Sequence, residues 1–137
     1  IDPARVHFLG RVPYAQFLSL LQITRAHAYL TYPFVLSWSM LEAMAAGALV
    51  IGSRTPPVQE VITDGQNGRL VDFFDVKGWS AALIRAMADP RADDPLRRAA
   101  RDTVVARYDL QGICLPLMIA YVESLGAARA QDGSGFQ

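Results

Sequence analysis

Ser37-Trp-Ser-Met-Leu-Glu-Ala-Met-Ala-Ala-Gly-Ala-Leu-Val-Ile-Gly-Ser-Arg-Thr-Pro-Pro-Val-Gln-Glu-Val-Ile62 reads as a helix, a buried strand and a glycine/serine turn in quick succession. Ser39 to Ala46 has helical composition and is closed by Gly47, the usual residue just past a helix end. Ala48-Leu-Val-Ile51 is too apolar to face water, which predicts a strand covered on both faces. Pro57 to Thr63 reads as a short helix ended by Asp64-Gly65, and Gly68-Arg-Leu-Val71 as the next strand. One carboxylate, Glu42, falls in the first turn of the leading helix.

Working outward, Val6-His7-Phe8-Leu9 followed by Gly10-Arg11 predicts a strand and its exit turn, and Gln16 to Ile23 repeats apolar residues at helical spacing. His27 to Tyr32 predicts a strand stopped by Pro33. Downstream, Val76 to Ala88 is a helix with Trp79, Leu83 and Met87 on one face. Leu96 to Tyr108 is another, with Arg97, Arg98, Arg101 and Arg107 on the wet side. Leu110, Ile113, Cys114, Leu117, Met118, Tyr121, Val122 and Leu125 form an apolar stripe at three- and four-residue steps. Pro116 within it predicts either a kink or a turn ending at Leu115 with a new helix beginning around Pro116. Residues 126–137 lack a packing pattern and read as a disordered tail. Strands separated by helices imply parallel pairing in an α/β, Rossmann-like sheet with flanking helices and a helical C-terminus.

The chain has 137 residues, enough for one domain with a real core. Its 13 basic and 13 acidic residues cancel, and no basic block tracks a phosphate backbone, so nucleic-acid binding has no electrostatic support. Cys114 is the single cysteine, which excludes an internal disulfide and fits a reducing, cytoplasmic compartment. No apolar run is long enough for a membrane span. The spacing of His, Cys and carboxylates offers no metal site. A dinucleotide fingerprint, a P-loop and a nucleophile elbow are all missing. His7 and His27 lie within expected strands and read as core or edge residues rather than catalysts.

In an open parallel sheet, ligands bind beyond the carboxyl ends of the strands. Gly10-Arg11-Val12, Thr31 to Ser39 and Gly52-Ser53-Arg54-Thr55 meet that description, and helix starts near Ser39 and Pro56 would aim backbone N–H groups at the same crevice. The residues alone therefore define an anion-tolerant cleft. Glu42 has two readings at this stage: Ser39-Met40-Leu41-Glu42 satisfies the S-x-x-E capping box, or the carboxylate faces a ligand.

Leu41-Glu42-Ala43-Met44-Ala45, Gly47, the strand ending in Gly52-Ser53, Pro57-Val58-x-Glu60-Val61-Ile62 and Asp64-Gly65-x-Asn67-Gly68 together resemble the nucleotide-sugar site of the two-domain GT-B glycosyltransferases. The resemblance is to the large retaining family called group 1 or family 4, and it runs from about Val6 to Leu125. It implies that residues 1–125 are a partial C-terminal, nucleotide-sugar-binding domain, the C-terminal half of a GT-B fold. The implied reaction is transfer of a sugar from a nucleoside-diphosphate sugar to an acceptor with retention of configuration. By the same resemblance Glu42 accepts hydrogen bonds from the donor ribose, and the backbone of Ser37, Trp38, Ser39, Met40 and Leu41 cradles the diphosphate. Gly10, Arg11 and Val12 wall the base pocket, and Phe34, Arg54 and Thr55 line the cleft. No metal or other cofactor is implied, and no catalytic residue is assigned within the chain. The family's acceptor-binding N-terminal domain and its arginine/lysine pair would lie upstream, so the chain alone is expected to be inactive.

Phe34 stands eight positions before Glu42, where the family commonly places a glutamate that contacts the donor sugar. The small, glycine-rich run that usually follows is replaced by Val35-Leu36-Ser37-Trp38. Phenylalanine cannot accept a hydroxyl proton, which implies altered sugar recognition. The competing reading is a non-catalytic Rossmann-like interaction module derived from a glycosyltransferase. The apolar stripe from Leu110 to Leu125 further predicts self-association where it lacks a partner.

Overall fold

The computed structural model describes residues 2–32, 35–89 and 91–132. After a single 3-10 turn at Pro3–Arg5, the order is α1 (Tyr14–Ile23), β1 (Ala26–Tyr29), α2 (Trp38–Ala45), β2 (Leu49–Ser53), α3 (Pro56–Gln59), β3 (Arg69–Val71), α4 (Val76–Ala88) and α5 (Asp94–Tyr108). A π-helical turn at Leu110–Cys114 leads into α6 (Leu115–Asp132). The three strands form a parallel sheet in the order β1-β2-β3, with Ala26 opposite Leu49 and Ile51 opposite Arg69.

β2 is central, and all five of its residues are buried, as its unbroken apolar run predicts. Its side chains alternate between two cores. Val50 joins Leu21, Met40, Met44, Val58, Ile62 and Ala100 on one face, while Leu49 and Ile51 join Trp79, Ala86 and Leu96 on the other. Burying side chains of this size contributes about 1.5–3 kcal/mol each. Gly47 takes φ +83° just after α2 and turns the chain into β2, the left-handed conformation for which glycine is suited. At Gly52 the reason is space: a Cβ there would stand 2.9 Å from a methyl of Val58.

Several expectations change on contact with the structure. Val6–Leu9 forms no strand, and Phe8 is almost wholly exposed, as is expected of a segment with no ladder partner to take its backbone groups. His7 is therefore not a strand residue. Arg97 and Arg101 do not simply face water: the guanidinium of Arg97 donates to the Arg25 carbonyl and that of Arg101 to the Ala45 carbonyl at the end of α2. On α4, Ala86 is buried where Met87 is exposed. The Pro116 region takes the second of its two expected forms, because the π-turn ends at Cys114 and α6 begins one residue before the proline. The helix then continues through Gly126 to Asp132, so the expected disordered tail is helical as far as residue 132, and 133–137 lie outside the described residues. Leu117, Met118, Ile119, Tyr121, Val122 and Leu125 are all exposed on α6. Among the described residues, no helix is long and apolar enough to cross a membrane.

Candidate functional site

The crevice expected from the sequence would lie beyond the carboxyl ends of β1 and β2, at the start of α2. Tyr29, the last residue of β1, is buried, and its hydroxyl accepts the Ser37 N–H at 2.8 Å. That contact sets where α2 starts. Ser37, not Ser39, is the N-cap: its Oγ accepts the Ser39 N–H at 3.3 Å, and the two serine hydroxyls lie 3.0 Å apart. The expected Ser39–Glu42 capping box therefore does not form, and Glu42 sits in the second turn of the helix rather than the first.

Freed from capping, the half-buried Glu42 carboxylate accepts a hydrogen bond from the Tyr14 hydroxyl, 2.8 Å from Oε1. Tyr14 is the first residue of α1, so the contact joins two helices. Donation to the Glu42 carboxylate raises the Tyr14 pKa above 10.0, helped by burial and by the negative charge of Glu42. Among the described residues, Glu42 has no ion-pair partner.

The neighbouring loops are held by polar contacts of their own. Ser53 is fully buried at the end of β2; its Oγ donates to the Thr31 carbonyl at 2.8 Å and accepts the Thr31 N–H at 3.2 Å. Arg54 is engaged by Asp64 at 2.8 Å, by Asp72 at 3.2 Å and by the Leu70 carbonyl at 3.0 Å. Burial pushes the Asp64 carboxyl up, but the Leu70 N–H and the Arg54 guanidinium outweigh it and hold the pKa below 3.8. Thr55 precedes α3 without capping it through its side chain, and its buried Oγ1 has no hydrogen-bond partner among the described residues.

The expected site residues are thus brought together unevenly. Ser37, Trp38, Ser39, Met40, Leu41 and Glu42 form one continuous helix start, with Trp38 exposed and Met40 buried. Gly10, at φ +62°, Arg11 and Val12 form the loop that enters α1 just before Tyr14. Arg54 is spent on two carboxylates, and Phe34 lies outside the described residues. Sequence reasoning missed Tyr14, Tyr29 and the double role of Ser53, and no local pattern announces a hydroxyl that acts across 28, 8 or 22 residues. A cavity of about 280 Å³ between β3 and α4, lined in part by Asp64, Arg69 and Arg85, contains none of the expected site residues. Its Arg69 is bound to the buried Asp93 at 2.9 Å. Among the described residues, no three His, Cys, Asp or Glu side chains gather as a metal site. What the crevice offers is a half-buried carboxylate acceptor beside a helix N-terminus, a combination suited to hydroxyl and phosphate groups respectively.

Residues 3–103 match the family model described as glycosyl transferases group 1. A phosphatidyl-myo-inositol mannosyltransferase of Mycolicibacterium smegmatis is 37% identical over 98 residues, which cover 70% of this chain and 25% of that protein. A glycogen synthase of Mycobacterium tuberculosis is 29% identical over 129 residues, covering 89% of this chain and 31% of that protein. The chain thus spans about a quarter to a third of these relatives. Among solved structures, a sucrose-phosphate synthase from Thermosynechococcus elongatus superposes with a TM-score of 0.82 at 25% identity over 91% of this chain and 31% of its own. HepE from Anabaena, solved in complex with UDP and glucose, shares the fold with a TM-score of 0.78 at 19% identity over 91% of this chain and 33% of its own. The family match covers most of the chain and includes the whole crevice, and on that ground the chain belongs to the group 1 glycosyl transferases.

Proposed function

We propose that this chain is the donor-binding part of a glycosyltransferase that takes a sugar from a nucleoside-diphosphate sugar and passes it to an acceptor with retention of configuration. The observation that carries the reading is Glu42: a half-buried carboxylate that neither caps its helix nor pairs with a cation among the described residues. Such a group is stabilised by hydroxyl donors, and two carboxylate oxygens suit the vicinal diol of a ribose. The start of α2 beside it supplies a positive dipole end for the diphosphate. The HepE structures that share this fold were solved with UDP, which supports a nucleotide as the class of ligand.

The second reading, a non-catalytic interaction module, is favoured by Phe34 in place of the sugar-contacting carboxylate. Binding to UDP, GDP and ADP decides between them, measured by calorimetry on wild type and Glu42→Gln. Since Glu42 caps nothing and glutamine keeps an oxygen to accept the Tyr14 hydroxyl, the substitution should leave the melting midpoint in place. Losing charge-assisted bonds to the ribose should weaken the bound nucleotide by roughly 10- to 100-fold. Equal affinity in the two proteins would remove Glu42 from the site, and no binding in the complete reading frame would favour the module.

A further inference from the structure

The Glu42 carboxylate is not left to find its own orientation. Glu42 is carried by α2, but the group that touches its Oε1 is the hydroxyl of Tyr14 on α1, at 2.8 Å. Among the described residues this is the one side-chain hydrogen bond that Glu42 receives. The Tyr14 ring leans on Phe17, with ring centroids 6.4 Å apart, and Phe17 packs in turn on the main core. Tyr14 itself is exposed, so what orients its hydroxyl is its place at the start of α1 and its ring contact with Phe17, whereas a glutamate alone turns about three torsions.

We propose that Tyr14 is a positioning residue for donor recognition, whose hydroxyl holds Oε1 of Glu42 so that the rest of the carboxylate faces the ribose diol. The inference rests on the donor-site reading given above. A carboxylate has about four acceptor positions, so one bond from Tyr14 leaves enough for two ribose hydroxyls. Binding then starts from an ordered acceptor, and the rotamer freedom of Glu42 is not lost a second time when the ligand arrives. The same contact raises the pKa of the phenol and so keeps it in its protonated, donating form.

Tyr14→Phe deletes the hydroxyl and keeps the ring. The test uses the complete reading frame and titrates UDP, GDP and ADP, each against its 2′,3′-dideoxy counterpart. In wild type, the preferred ribonucleotide should bind more tightly than its dideoxy form. Tyr14→Phe should weaken the ribonucleotide by roughly 3- to 10-fold and leave the dideoxynucleotide and the melting midpoint unchanged. In a Glu42→Ala background, the same substitution should change nothing. A wild type that fails to distinguish ribose from dideoxyribose overturns the donor-site reading, and this inference with it. If wild type does distinguish them, an equal loss for both ligands, or tighter ribonucleotide binding in Tyr14→Phe, overturns this inference alone.

Discussion

Replacing Ser53 by alanine removes one oxygen and leaves two backbone groups without a partner. The β1–β2 ladder runs to Tyr29 opposite Gly52. Beyond it the Ser53 side chain takes over, satisfying both the N–H and the C=O of Thr31 at 3.2 and 2.8 Å. A buried backbone group stripped of its partner costs about 1–3 kcal/mol. Thr31 is half-buried, so water recovers part of each loss, and the low end applies. Two groups at that end predict a loss of about 2 kcal/mol, equivalent to a fall in melting midpoint of about 6 °C for a chain of this length. Urea denaturation followed by circular dichroism measures the stability directly, and a midpoint lowered by about 1 M is expected. Ser53→Cys, which keeps a weak donor and acceptor at similar size, should fall between serine and alanine. Because Thr31 begins the segment that reaches Ser37, the alanine protein should also bind nucleotide more weakly. A stability change below about 0.5 kcal/mol would show that the double hydrogen bond is not what holds this loop, and the account of the crevice floor would fail.

Burial pushes the His27 imidazole below its ordinary value of 6.5. As pH falls through 6.5 the unfolded chain takes up the proton first, so stability should decline from there toward the depressed folded value. His27→Phe should flatten the difference between urea midpoints at about pH 7.5 and about pH 5.5, and an unchanged slope would refute the assignment. The exposed apolar side chains of α6 predict that the isolated chain self-associates. Sedimentation should show average mass rising with concentration, Met118→Glu with Val122→Glu should abolish the rise, and a clean wild-type monomer would count against it.

Elements whose reasons are local were legible in the sequence. The apolar run at Ala48–Ile51 and the glycine at 47 announced a central strand and a helix end, and both are present with shifts of one or two residues. Val6–Leu9 has an equally strand-like composition, but a strand exists only where another edge accepts it, and composition does not record the edge. The same limit governs the helix cap. Ser37 and Ser39 are equally good N-caps by type, and the choice falls to Ser37 because the Tyr29 hydroxyl holds its N–H. The periodicity from Leu110 to Leu125 located a helix correctly but suggested one packed stripe, whereas residues 115–126 of α6 are exposed on several sides. A stripe shows only which residues could pack together.

The state of the α2 N-terminus bears on how a diphosphate would enter on the proposed reading. Ser37 donates its N–H to Tyr29, Ser39 to the Ser37 hydroxyl and Met40 to the Ser37 carbonyl, so these three donors are already engaged. At these three positions binding is then an exchange rather than the filling of empty valences. Giving up a serine cap costs about 1 kcal/mol, whereas a hydrogen bond to a charged oxygen contributes about 1.5–3 kcal/mol. The exchange favours phosphate over water or a neutral hydroxyl, and the displaced Ser37 oxygen still has the Ser39 hydroxyl 3.0 Å away as a partner. Glu42 stands in the same helix one turn further on and carries the opposite charge, so it disfavours a phosphate at its own position and favours a ribose there. On the proposed reading, the order of the donor along α2, phosphates at the N-terminus and ribose at Glu42, is the one that the placement of one dipole end and one carboxylate favours.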